Sequence, residues 1–110
     1  MKTLVKTVDG FEIYFEALEE LTALEDFLPD HTPGQIEEIR NTCEVFCAKV
    51  STEKSGIELG YDYLGCCIYK TYEDFYTTKE CYFDDMVNTV ITEAKKSLPK
   101  IIEELKKLTP

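Results

Sequence analysis

The chain reads as an α+β domain, an antiparallel four-stranded sheet in ββααββα order packed by a long C-terminal helix. Three observations predict it. An Asp9-Gly10 pair stands between two short runs rich in aliphatic and aromatic residues. Two further runs of Val, Ile, Phe, Tyr and Cys flank Glu53-Lys54-Ser55-Gly56. From about Glu80 onward, apolar residues recur at steps of three and four. At 110 residues, with no repeat or linker, positions 1–110 form a single domain around one core.

The first hairpin runs Thr3 to Val8, turns at Asp9-Gly10 and returns over Phe11 to Glu16. Strict alternation puts Phe11, Ile13 and Phe15 on the core side and Glu12, Tyr14 and Glu16 on the outer side. Pairing through the turn places Val8, Lys6 and Leu4 inward, where Lys6 has to snorkel to an edge unless the register shifts. Two short helices follow. Each opens with a capping-box pattern, Thr22 with Glu25 and Thr32 with Gln35, the second with Pro33 at the first helical position. Cys43 to Ser51 and Ile57 to Tyr69 read as the second hairpin, with Gly60 and Gly65 marking a bulge or break.

Phe83, Val87, Val90, Ala94, Leu98, Ile101, Leu105 and Leu108 lay one apolar stripe along the last helix. Thr77 with Glu80 offers its cap, and acids near its start and lysines near its end suit the helix dipole. Pro99 predicts a kink or break at Leu98.

The N-terminus lacks the apolar core and cleavage site of a signal peptide, and no apolar run reaches membrane-spanning length. Cys43, Cys47, Cys66, Cys67 and Cys81 are odd in number and lack framework spacing, which fits reduced, mostly buried thiols in a cytoplasmic protein. Cys43 and Cys47 lie four apart in a strand, roughly 13 Å, too far to share one ion. Neighbouring Cys66 and Cys67 point to opposite faces. No metal or cofactor is expected.

Catalytic groups are equally sparse. His31, the single histidine, precedes a helix cap in a loop, and a thiol beside it is the one nucleophile arrangement left open. Asp84-Asp85 and Glu37-Glu38 are helix neighbours about 100° apart, not acid/base couples. Neither a phosphate-binding glycine loop nor a calcium loop is present. The reading is therefore a binding protein, not an enzyme.

Its net charge of −10 resides in one stretch. Thr7 to Ile39 holds ten carboxylates and no base, while the remaining positions balance twelve acids with twelve bases. Such a one-sided field attracts basic partners and repels nucleic acid and anionic membranes. Candidate partner-binding residues are Glu12, Tyr14, Glu16, Glu19, Glu20, Glu25, Asp26, Asp30, Glu37 and Glu38. A solvated face is the plain alternative. Eight aromatics between Tyr61 and Phe83 exceed what one face of a small sheet buries, so some reach the surface.

By size and one-sided acidity the chain resembles the small acidic inhibitors of phages and mobile elements, the anti-CRISPR and anti-restriction proteins. Gly60-Tyr-Asp-Tyr-Leu-Gly-Cys-Cys-Ile-Tyr-Lys-Thr-Tyr-Glu-Asp-Phe75, with Tyr82-Phe-Asp-Asp-Met-Val87, is similar to segments of small phage proteins. The resemblance implies an inhibitor of a basic bacterial enzyme or ribonucleoprotein complex, acting by blocking its nucleic-acid site or holding it inactive. An immunity protein or antitoxin against a nuclease toxin would use the same electrostatics. A small Cys/His-dependent enzyme, and an oligomeric adaptor pairing through Leu98, Ile101, Leu105 and Leu108, are the rivals from other classes.

Overall fold

Asp9 and Gly10 both take positive φ, 51° and 83°, as a two-residue hairpin turn requires. They close β1 (Lys2–Val8) on β2 (Phe11–Leu18). The structure, a computed structural model, describes residues 2–78 and 82–108. Phe11, Ile13 and Phe15 are buried, as their alternation demands, but β1 departs from strict alternation. Lys6 pairs with Ile13 and Leu4 with Tyr14, so Val5 is an extra, bulged residue. The bulge turns Leu4 outward to 51% exposure and packs Val5 against the core in its place. Lys6 stays on the helix side and escapes burial, its Nζ 5.6 Å from the Phe83 ring centre and 3.9 Å from Asp84.

Helices α1 (Leu24–Phe27) and α2 (Pro33–Thr42) join β2 to β3. The capping box of α2 forms in both directions, Gln35 N donating to Thr32 Oγ1 at 3.2 Å and Thr32 N to Gln35 Oε1 at 2.8 Å. The box expected at Thr22 does not. Ala23 is the N-cap of α1, and Glu25 instead lies 2.7 Å from the Arg40 guanidinium, whose charge-assisted bond outweighs a neutral backbone amide.

Strands β3 (Glu44–Lys54) and β4 (Ile57–Tyr69) complete an antiparallel sheet of order β1-β2-β3-β4. Their connection is tighter than the expected four residues. Ser55 and Gly56, at φ 54° and 79°, make a two-residue turn, so β3 extends to Lys54. The glycines of β4 mark two bulges and no break. The register shifts opposite Thr52/Glu53, where Leu59 is extra, and opposite Phe46/Ala48, where Gly65 and Cys66 face Cys47. Cys66, expected in a regular strand, takes φ 50° here.

Beyond the expected elements lies α3 (Asp74–Thr77), one turn that buries Phe75 completely. Thr77, expected to cap the last helix, belongs to α3, and its proposed partner Glu80 lies outside the described residues. Helix α4 (Tyr82–Lys106) then crosses the sheet, burying Phe83, Met86, Val87, Val90, Ile91 and Ala94. It runs through Pro99 without the expected break. Pro99 is exposed, so water can satisfy the carbonyl its missing N–H leaves open.

Gly60 sets how closely α4 sits on β4. A Cβ there would lie 2.6 Å from the Val90 carbonyl oxygen and 3.3 Å from the Glu93 Cβ. Gly60→Ala is expected to destabilise by about 2–3 kcal/mol, the upper range for overpacking, because backbone must move. Gly34→Ala, with only Thr32 Oγ1 at 4.0 Å, is the control. Equal urea midpoints for the two variants would refute the close contact.

Candidate functional site

With α4 on one face, the other face of the sheet is open, and its registers can be read across the strands. One row joins Glu12, Glu53 and Glu58; the next joins Leu4, Tyr14, Ser51 and Tyr61; a third joins Lys2, Glu16, Lys49 and Tyr63. The lysines interleave with the carboxylates. Lys2 pairs with Glu53 and stacks its Nζ 4.8 Å from the Tyr14 ring centre. Lys49 lies 3.0 Å from Glu58 and 5.8 Å from the ring centres of both Tyr61 and Tyr63. Tyr14 donates to Glu12 Oε2 at 3.1 Å, and burial together with that bond pushes its phenol pKa up.

Glu16 is therefore flanked by bases, whereas Glu12 stands in a row of carboxylates and bonds the Tyr14 hydroxyl. Absence of bases along 7–39 in sequence does not carry over into space, because β1 and β3 deliver Lys2 and Lys49 to either side of Glu16. Alternation within β3 and β4 was the signal that could have located Lys49, Tyr61 and Tyr63 on this face. Of the crowded aromatics, Tyr61, Tyr63, Tyr72 and Tyr82 are exposed while Phe75 and Phe83 are core.

The other candidates lie past the end of β2. Glu19 and Glu20 follow the strand, Glu25 and Asp26 sit in α1, Asp30 between the helices, and Glu37 and Glu38 on α2. Two are engaged internally. Glu25 holds Arg40, which keeps its carboxyl below the ordinary range. Glu20 accepts from Cys66 N at 2.5 Å and Thr22 N at 3.1 Å, and these bonds lower its pKa. Glu19, Asp26, Asp30, Glu37 and Glu38 are exposed and form no ion pair within 4 Å among the described residues. Leu21 and Phe27 are exposed on the same helical end, at 87% and 44%.

Glu20 ties the chain after β2 to the β4 bulge, so Glu20→Gln is expected to cost about 1 kcal/mol at neutral pH, a charged-acceptor bond discounted for exposure. Because the folded pKa is depressed, this stability is present above the ordinary value of 4.5 and fades as pH falls through the lower folded value. Urea unfolding should separate wild type from variant at pH 7 and narrow the gap progressively as pH falls below 4.5. A constant gap would assign the effect to packing.

Of the four described cysteines only Cys67 is buried, so the expectation that most are core is corrected. The open outer face and the bulge leave Cys47 and Cys66 half-covered. Burial pushes the Cys67 thiol to about 11 and raises Cys47 and Cys66, with Glu20 adding to each. Such thiols are predominantly protonated at neutral pH and weakly nucleophilic. Cys81 lies outside the described residues.

His31 is exposed between α1 and α2, and Cys43 caps the far end of α2, about 15 Å along its axis. No group of three or more His, Cys, Asp or Glu among the described residues is placed to hold a metal ion. An open groove of about 560 Å³ is lined by Thr3, Phe15, Ala17, Thr71, Tyr72, Glu73 and Tyr76, with Glu73 the one carboxylate among these residues. No described helix is long and apolar enough to cross a membrane. Comparison with known proteins gives no match to a family model, a curated protein or a solved structure.

Proposed function

We propose that this protein is a small protein-binding inhibitor that engages a basic, nucleic-acid-handling enzyme of a bacterial defence system, of CRISPR–Cas or restriction type, and keeps nucleic acid from it. The carrying observation is the set of exposed carboxylates Glu19, Asp26, Asp30, Glu37 and Glu38, which form no ion pair within 4 Å among the described residues and share their end with a single arginine, Arg40, already paired with Glu25, whereas on the sheet face Lys2 and Lys49 pair with Glu53 and Glu58 and flank Glu16. Unmatched exposed charge acts at a distance, and so steers encounter with a basic surface. Leu21 and Phe27 on the same end supply apolar contact, and the half-covered thiols suit the reducing cytoplasm.

Two charge-reversed variants test this reading. Asp30→Lys/Glu37→Lys/Glu38→Lys should slow association with the partner about tenfold or more at low salt, the scale of electrostatic steering. Glu16→Lys should change it by less than about threefold, because Lys2 and Lys49 flank that carboxylate on the neighbouring strands. The partner is first captured from bacterial lysate on immobilised protein, with a DNA oligonucleotide as competitor, and identified by mass spectrometry. Prey without a basic nucleic-acid enzyme, or equal association for wild type and the triple variant, would overturn the proposal. Capture of a nuclease toxin would redirect it to an immunity role.

A further inference from the structure

We infer that copies of this chain associate head to tail, the C-terminal turns of α4 in one copy docking on the α1–α2 end of the next. This inference does not depend on the inhibitor reading.

The molecule is elongated, 64 × 24 × 21 Å, and its two ends differ in sign. Helix α4 passes the turn end of the sheet at Lys95, 3.5 Å from Asp9, and Ser97 lies alongside Glu58. Leu98 and Ile101 still pack against the core, and the residues from Ile102 to Leu108 project beyond it by roughly 10 Å at 1.5 Å per residue. The apolar stripe continues onto this overhang without sheet beneath it, leaving Ile102, Leu105 and Leu108 at 44%, 48% and 79% exposure. Residues 95–108 carry five lysines against two glutamates. At the opposite end, beyond Leu18 and Glu44, residues 19–43 carry seven carboxylates against Arg40 alone, with Leu21 and Phe27 exposed among them.

Charge selects the occupant of the overhang. Pairing two overhangs would bring excess lysine against excess lysine, whereas the α1–α2 end offers the opposite sign together with apolar residues of its own. End-to-end contact also keeps the strongly acidic molecules from lying side by side, where a net charge of −10 repels. The two surfaces lie at opposite ends, so each bound copy retains one unused end. The contact is heterologous and propagates as an open chain and not a closed dimer.

Sedimentation of the full chain at low ionic strength, from about 10 µM to 1 mM, the range of weak association, provides the test. Wild type should rise at least twofold in average mass over that range. Lys96→Glu/Lys100→Glu/Lys107→Glu makes both ends acidic, and Glu19→Lys/Asp26→Lys/Asp30→Lys/Glu37→Lys/Glu38→Lys, which leaves two carboxylates against Arg40 and five new lysines, makes both ends basic. Each variant alone should remain monomeric, and their equimolar mixture should assemble, since each then meets an opposite end. Leu105→Ser keeps every charge and should weaken wild-type assembly at least threefold. A monomeric wild type at 1 mM, or a mixture no larger than its components, would overturn the inference. So would dimerisation of the variant with lysines in the α1–α2 end, which would show overhangs pairing with each other. Circular dichroism of each variant separates failed assembly from failed folding.

Discussion

Val90→Asp is expected to lose about 4–5 kcal/mol, most of the stability of an ordinary domain, and to be largely unfolded at 37 °C. Val90 has 0% exposure and sits where α4 touches β4 at Gly60. A carboxylate there has no cation in reach and no space for water, since the surrounding cluster is Ile13, Ala48, Val50, Leu59 and their neighbours. Val90→Ala, which removes only methyl groups, should cost about 1.5–3 kcal/mol, so the difference isolates the buried charge. Thermal unfolding followed by circular dichroism measures both. A melting temperature for Val90→Asp equal to wild type would mean that α4 does not pack on the sheet as described.

Phe75→Ala should cost about 3–5 kcal/mol, the usual range for deleting a buried aromatic ring. The ring of Phe75 is fully buried and meets four others: Phe15 at 5.4 Å, Tyr69 at 5.5 Å, Phe46 at 6.1 Å and Phe83 at 6.2 Å. Through those partners the single turn of α3 binds β2, β3, β4 and α4 together. Tyr61→Ala, on a residue 57% exposed on the open face, should stay within about 0.5 kcal/mol. Urea denaturation that ranked these two substitutions equally would show that the aromatic cluster is not the centre of the core.

The elements legible in advance were those whose local chemistry had a single solution. Asp9-Gly10 tolerates positive φ, Thr32-Pro33 with Gln35 caps a helix, and the α4 stripe closes only at a helical period. Each needs only a few neighbouring residues, and each was found where its pattern put it. Shifts such as the Val5 bulge depend on what faces the strand from another element, here Phe83 and Asp84 beneath Lys6. Helix α3 was hidden because four residues carry no period, and Phe75 stays in place through long-range ring contacts.

The acidic candidates show the same division. That residues 7–39 are acidic was determined by composition, and so was the negative sign of the whole molecule's charge. Which carboxylates remain uncompensated was decided by the tertiary structure. Strand pairing brought Lys2 and Lys49 beside Glu16, and Cys66 of the distant β4 bulge claimed Glu20, leaving the exposed acids of α1 and α2 to project a field. The order of charges along a chain is a local property, whereas their compensation depends on which residues the sheet register and helix packing bring within a few ångströms.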